Sequence, residues 1–142
     1  MRRASTRFRT RRICPISTPG RAFIPLGVLV VDDQPEFLEV AQAILAERAD
    51  VTVIATASSG DEAVVLVRAL APDLVVLDVQ LPDFSGFETA RRMIACSPGL
   101  RVVMVSGDGE PGYEAFARSA GAEAFLTKKQ FLRDGLSSVL GC

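Results

Sequence analysis

Four apolar runs along the chain each stop abruptly at a polar group. Val28-Leu29-Val30-Val31 closes on Asp32-Asp33 and Leu74-Val75-Val76-Leu77 on Asp78. Val102-Val103-Met104-Val105 closes on Ser106, and Ala124-Phe125-Leu126-Thr127 leads into Lys128. Runs that are apolar at every position suit strands buried on both faces, as in a parallel sheet. A fifth strand is expected at about 51–57, beginning Val51-Thr52-Val53-Ile54-Ala55.

Between the runs the period changes from continuous to helical. Phe37, Leu38, Val40, Ala41, Ile44 and Leu45 share one face of a helix over about 35–48, with Pro35 in its first turn, where the missing N–H costs nothing. Ser59 and Glu62 have capping-box spacing ahead of a helix over 60–70 with the stripe Ala63, Leu66, Val67 and Leu70, ended by Pro72. Ser85 and Glu88 repeat that spacing before a helix over 86–96. Helix 112–120 carries Tyr113, Phe116, Ala117 and Ala120, and Gly121 is expected as its left-handed cap. The last helix, 130–140, is read from Leu132, Leu136, Val139 and Leu140. Five strand–helix units with right-handed crossovers make a doubly wound α/β domain.

Composition adds a boundary. The chain has 142 residues, 49% of them apolar, which suits one domain with a real core. Its net charge of −1 hides an asymmetry: seven arginines and no acid precede Val28, leaving nine basic and seventeen acidic residues in the remainder. Residues 1–25, rich in Arg, Ser and Thr, show no periodicity and read as a disordered basic extension, with the folded domain over 26–142. A start assigned too far upstream, an arm for nucleic acid or acidic membrane, and an organelle transit peptide all remain readings of that extension. No stretch reaches the roughly 18–20 apolar residues of a membrane span. Cys14, Cys96 and Cys142 are too few and too scattered for a disulfide framework or a zinc cluster, so a cytoplasmic setting is expected. The absence of histidine excludes a His general base or a His-ligated metal in this chain.

The chemistry gathers at one edge. In an open parallel sheet, ligands bind outside the carboxyl ends of the strands. Three carboxylates brought together there repel one another, and a hard divalent cation relieves that repulsion. With oxygen donors only, Mg²⁺ is expected rather than zinc. One carboxylate can then attack phosphorus as a nucleophile, and Asp78, on the central strand, is the best placed. Ser106 can donate to a phosphoryl oxygen and Lys128 can neutralise another. A phosphatase or phosphomutase using an Asp nucleophile usually carries a second acid two residues later, but Gln80 stands there. A dinucleotide fold would need a glycine-rich turn where Asp33-Gln34-Pro35-Glu36 stands.

Asp32-Asp33, then Asp78-Val79-Gln80-Leu81-Pro82-Asp83-Phe84-Ser85-Gly86, Val105-Ser106-Gly107 and Gly121-Ala122-Glu123-Ala124-Phe125-Leu126-Thr127-Lys128 strongly resemble the receiver domain of bacterial response regulators. The resemblance covers 28–142. It implies a flavodoxin-like, doubly wound (βα)5 fold with sheet order 2-1-3-4-5. It also implies a Mg²⁺ site made by Asp32, Asp33, Asp78 and the backbone carbonyl of Gln80. Asp78 is the implied phosphoacceptor, fed by the phosphohistidine of a sensor histidine kinase or a histidine phosphotransfer protein. Ser106 and Lys128 hold the phosphoryl group, and Phe125 is the switch that follows Ser106 and alters the output surface of the fourth helix, fifth strand and fifth helix. Lysine is commonly followed by proline in this family, whereas Lys129 follows Lys128 here; spacing from Phe125 selects Lys128 over Lys129. Gln80 and Asp108 are expected to tune dephosphorylation. With no DNA-binding domain in the chain, the expectation is a stand-alone, non-enzymatic receiver that acts through a downstream effector protein.

Overall fold

The computed structural model describes residues 24–107 and 109–141. The extension up to residue 23, including Cys14, and also Asp108 and Cys142, lie outside the described residues. Among the described residues, five strands and six helices follow in order: β1 Leu26–Val31, α1 Pro35–Leu45, β2 Val51–Ala57, α2 Gly60–Leu70, β3 Leu74–Asp78, α3 Gly86–Cys96, β4 Arg101–Ser106, α4 Tyr113–Ser119, β5 Ala124–Thr127, α5 Lys128–Asp134 and α6 Ser137–Leu140. All strand pairs are parallel and the sheet order is β2-β1-β3-β4-β5, as expected.

Strand alternation divides the core into two layers. Leu29, Val31, Val75, Leu77, Val102 and Met104 face Ala63 and Val67 of α2, Ala90 and Met93 of α3, and Ala117 of α4. Val28, Val30, Leu74, Val76, Val103 and Val105 face Phe37, Ala41 and Leu45 of α1, Phe131 of α5, and Leu136. Leu74 through Leu77 are fully buried, which explains why β3 is apolar throughout. The chain leaves β1 and β3 toward opposite faces, so a crevice opens between their carboxyl ends.

Two expectations require correction. The last helix begins at Lys128, directly after β5, and Gly135 divides it from α6. A reciprocal capping box sets that start: Thr127 Oγ1 accepts from Gln130 N at 3.1 Å, and Gln130 Oε1 accepts from Thr127 N at 2.8 Å. Gly135 has φ +58°, in the region that favours glycine, and a Cβ there would stand 3.1 Å from Ile44 Cγ2 of α1. The break resets the helical phase. Phe131 and Leu136 are therefore the buried pair, while Leu132, expected in the apolar stripe, is 46% exposed.

The two spacings read as capping boxes are half boxes. Ser59 Oγ caps Glu62 N and Ser85 Oγ caps Glu88 N, each at 3.1 Å. Glu62, however, turns to Ser58 N at 2.8 Å, and Glu88 pairs with Arg91 and Arg92. Gly121 has the expected left-handed conformation, φ +100°.

Candidate functional site

The site is built by strand endings. Asp32 follows β1 and Asp78 closes β3 in adjacent parallel strands, which carries the two acids side by side. Asp32 is fully buried, Asp78 nearly so, and Asp33 is exposed. One carboxylate oxygen from each lies within 4.8 Å of the others. Asp32 Oδ1 accepts from Gln34 N at 2.8 Å and so fixes the turn into α1.

Lys128 reaches in from the start of α5. Its Nζ stands 2.7 Å from Asp32 Oδ2, 3.8 Å from Asp78 Oδ2 and 3.0 Å from Gln34 Oε1, to which it donates. The same ammonium lies 4.5 Å from the centre of the Phe37 ring, a cation–π contact. Asp32 Oδ2 accepts no well-directed hydrogen bond, so its compensation is electrostatic. Ser106 is buried at the end of β4, whose Val105 carbonyl accepts from Val79 N at 2.9 Å. A crevice of about 310 Å³ opens over these groups, lined by Asp33, Gln34, Asp78, Gln80, Leu81, Pro82, Gly107 and Lys128.

Burial raises the Asp78 carboxyl, and repulsion from Asp32 and Asp33 adds to it. Lys128 and the Gln80 N–H oppose that trend, and the carboxyl ends pushed up to about 6. One lysine therefore does not balance three acids. An all-oxygen donor set with uncompensated negative charge fits a hard divalent cation.

The loop after Asp78 is closed at its base. Gly86 N donates to the Val79 carbonyl at 2.7 Å, and a Cβ on Gly86 would overlap the Asp78 carbonyl oxygen. Only glycine allows that approach. Phe125 of β5 is half-buried, with its ring 6.3 Å from that of Tyr113. Asp32 and Asp78 thus come into ion-pair range of Lys128, with Asp33 beside the two acids and Gln80 on the rim. The sequence reading missed Gln34 and Phe37 as neighbours of Lys128; nothing in the local pattern around Asp32-Asp33 points across the sheet to α5.

A family model described as the response regulator receiver domain matches residues 28–139, and the chain belongs to that family. The receiver domain of NarL from Mycobacterium tuberculosis superimposes with a TM-score of 0.76 at 30% identity, covering 83% of this chain and 95% of that one. The CheX–CheY–BeF3–Mg complex from Borrelia burgdorferi matches with a TM-score of 0.72 at 26% identity, covering 82% and 90%. Response regulator GacA of Pseudomonas aeruginosa is 30% identical over 114 residues, which is 80% of this chain and 53% of GacA. The protein-glutamate methylesterase/protein-glutamine glutaminase 2 of Methanospirillum hungatei is 42% identical over 82 residues, 58% of this chain and 23% of that protein.

That last relative overturns the expectation that the chain is not an enzyme. Proteins named as methylesterases and glutaminases share this receiver sequence, so the receiver site does not exclude enzymes. The physical reason is that the site belongs to a module, and the module stands inside proteins of different activities. The chain spans about half the length, or less, of the curated relatives described here. Among the described residues no helix is long and apolar enough to cross a membrane.

Proposed function

We propose that this receiver, over 26–142, accepts a phosphoryl group on Asp78, with residues 1–25 a basic extension to it. The observation that carries the reading is the cluster itself: three carboxylates, one of them pushed up to about 6, facing one ammonium in an open crevice. An Asp78 oxygen attacks phosphorus. The P–N bond of the donor's phosphohistidine breaks, and its electron pair returns to the imidazole nitrogen. With the donor ring protonated on its other nitrogen beforehand, the products are an acyl phosphate and a neutral imidazole. The donor is a sensor histidine kinase or a histidine phosphotransfer protein.

Asp32, Asp33, Asp78 and the Gln80 carbonyl are the residues that would hold Mg²⁺, which supplies neutralising charge for phosphoryl oxygens when bound. The name of the matched Borrelia complex, with its BeF3 and Mg, supports this. Ser106 donates to a phosphoryl oxygen. Lys128, which now stands 2.7 Å from Asp32 Oδ2, neutralises another. Phe125 follows Ser106 and alters the surface formed by α4, β5 and α5, where a downstream effector protein docks. A reducing cytoplasm suits the free Cys96.

Acetyl phosphate with Mg²⁺ tests the acceptor. One base-labile, acid-stable phosphate per chain is expected, and none on Asp78→Asn. Undiminished labelling of that variant would place the acceptor elsewhere.

A further inference from the structure

The loop from Val79 to Ser85 is held at its tip as well as its base, and the second anchor is on another helix. Asp83 Oδ1 accepts from Gly60 N at 2.9 Å and Oδ2 accepts from Asp61 N at 2.8 Å. These are unpaired N–H groups of the first turn of α2, so one carboxylate caps a helix that begins 23 residues earlier. The same Oδ1 accepts from Phe84 N at 3.0 Å, which fixes the carboxylate to its own loop. Burial works against the charged form, but the N–H donors of Asp61, Gly60 and Phe84 outweigh it and hold the carboxyl below its usual range.

A second observation shows the same joint from the side of α2. A Cβ on Gly60 would stand 2.5 Å from Thr89 Oγ1 and 2.7 Å from the Phe84 ring. Thr89 in turn donates to the Ser85 carbonyl at 2.9 Å, and Arg92 stacks on Phe84 at 4.2 Å. The start of α2 is thus seated on the loop and on the first turns of α3. Ser59 Oγ satisfies the Glu62 N–H, and Asp83 supplies the acceptors for the two N–H groups before it, from another part of the chain.

We infer that Asp83 is a positioning residue that ties α2 to the loop carrying the Gln80 carbonyl, and so sets the affinity of the acidic site for Mg²⁺. The inference rests on the site reading proposed above. The contacts of Asp83 run to the start of α2 and to its own loop, and it acts by restricting where the backbone of residues 79–82 can go. Partners that orient a metal ligand without binding the metal change affinity by tens of fold when removed.

Mg²⁺ titration of the full chain, followed by amide chemical shifts, tests it. Asp83→Ala is expected to weaken Mg²⁺ about tenfold, and Asp83→Asn, which keeps one accepting oxygen, to weaken it less. Ser59→Ala removes the other cap of α2 without touching the loop, and should bind Mg²⁺ as wild type does. Amides of Gly60 and Asp61 should exchange faster in Asp83→Ala. Equal affinity in wild type and Asp83→Ala overturns the coupling, as does an equal loss in Ser59→Ala, which would make the effect one of helix stability. If the alanine variant does not fold, Asp83→Asn carries the same comparison. Asp33→Ala separates the two readings: lost binding there with none lost at Asp83 sinks the coupling alone, whereas unchanged binding in Asp33→Ala sinks the metal site beneath it.

Discussion

The two ends of the sheet treat charge in opposite ways. At the amino ends of the strands each of the main acids has a close partner. Arg101 grips Glu123 through two contacts, at 2.7 and 2.8 Å, and Arg48 grips Asp50 at 2.8 and 2.7 Å. Asp73 accepts from Gly27 N at 2.7 Å. Hydrogen bonds from the arginines hold Glu123 and Asp50 below their usual values. At the carboxyl ends, a few residues along the same strands, Asp78 is pushed up instead. The first arrangement stabilises the fold. The second leaves an electrostatic demand that a bound cation or phosphoryl group can meet, the usual signature of a working site.

The largest expected effect is at Lys128. It is the counter-charge within reach of the fully buried Asp32, and removing one member of a buried pair leaves the other uncompensated. Without Mg²⁺, Lys128→Ala should lose about 3 kcal/mol in urea unfolding, the low end for a buried pair because the lysine is partly exposed. Lys129→Ala, at an exposed position, should change stability by less than about 0.5 kcal/mol. Equal losses in the two would show that the carboxyl end is not strained in this way.

pH separates the ends by sign. The native Asp78 value of about 6 lies above the ordinary 3.8, so the folded state binds this proton more tightly. Its contribution is fully present below about pH 4 and is lost as pH rises through about 6. Without Mg²⁺, Asp78→Asn should therefore flatten the fall in stability across that window, a gain of about 1–2 kcal/mol at neutral pH after solvent screening is allowed for. Added Mg²⁺ should flatten the wild-type profile in the same way. Glu123 behaves in reverse: its lowered value adds stability above about pH 4.5 that is lost as pH falls through the native value. An unfolding series from about pH 2 to about pH 8 reads both.

The smallest effect is at the amino end. Arg101 and Glu123 are about a third exposed, so Arg101→Ala should lose only about 0.5–1 kcal/mol. Its Mg²⁺ affinity and phosphate labelling should equal those of wild type. A change in either would mean that the two ends communicate through β4.

Legibility in the sequence followed locality. The strand ends at Asp32, Asp78, Ser106 and Lys128 could be read because buried parallel strands leave an unbroken apolar run, and the run's end is where a polar group stands out. Pro35 and Gly121 could be read because one residue's backbone preference decides each. The break at Gly135 could not: Leu132, Leu136, Val139 and Leu140 form a valid helical stripe, and the contact with Ile44 on α1 that accompanies the break is remote in sequence. Asp83 was hidden for the same reason, since its partners are in α2. Reading the chain as non-enzymatic failed for another reason: residues report the chemistry of their own module, not that of proteins in which the module is embedded.

The ring contacts around Phe125 have a spectroscopic consequence. Phe125 faces Tyr113, with 6.3 Å between ring centres, and Tyr113 and Phe116 each lie 5.7 Å from Phe87 at the start of α3. The chain holds one tyrosine and no tryptophan, so light absorbed near 280 nm is absorbed almost entirely by that ring. The phenol of Tyr113 touches β5 on one side and α3 on the other. A displacement of Phe125, or of α4 against α3, would change the surroundings of a single native chromophore, so no attached dye would be needed to time it.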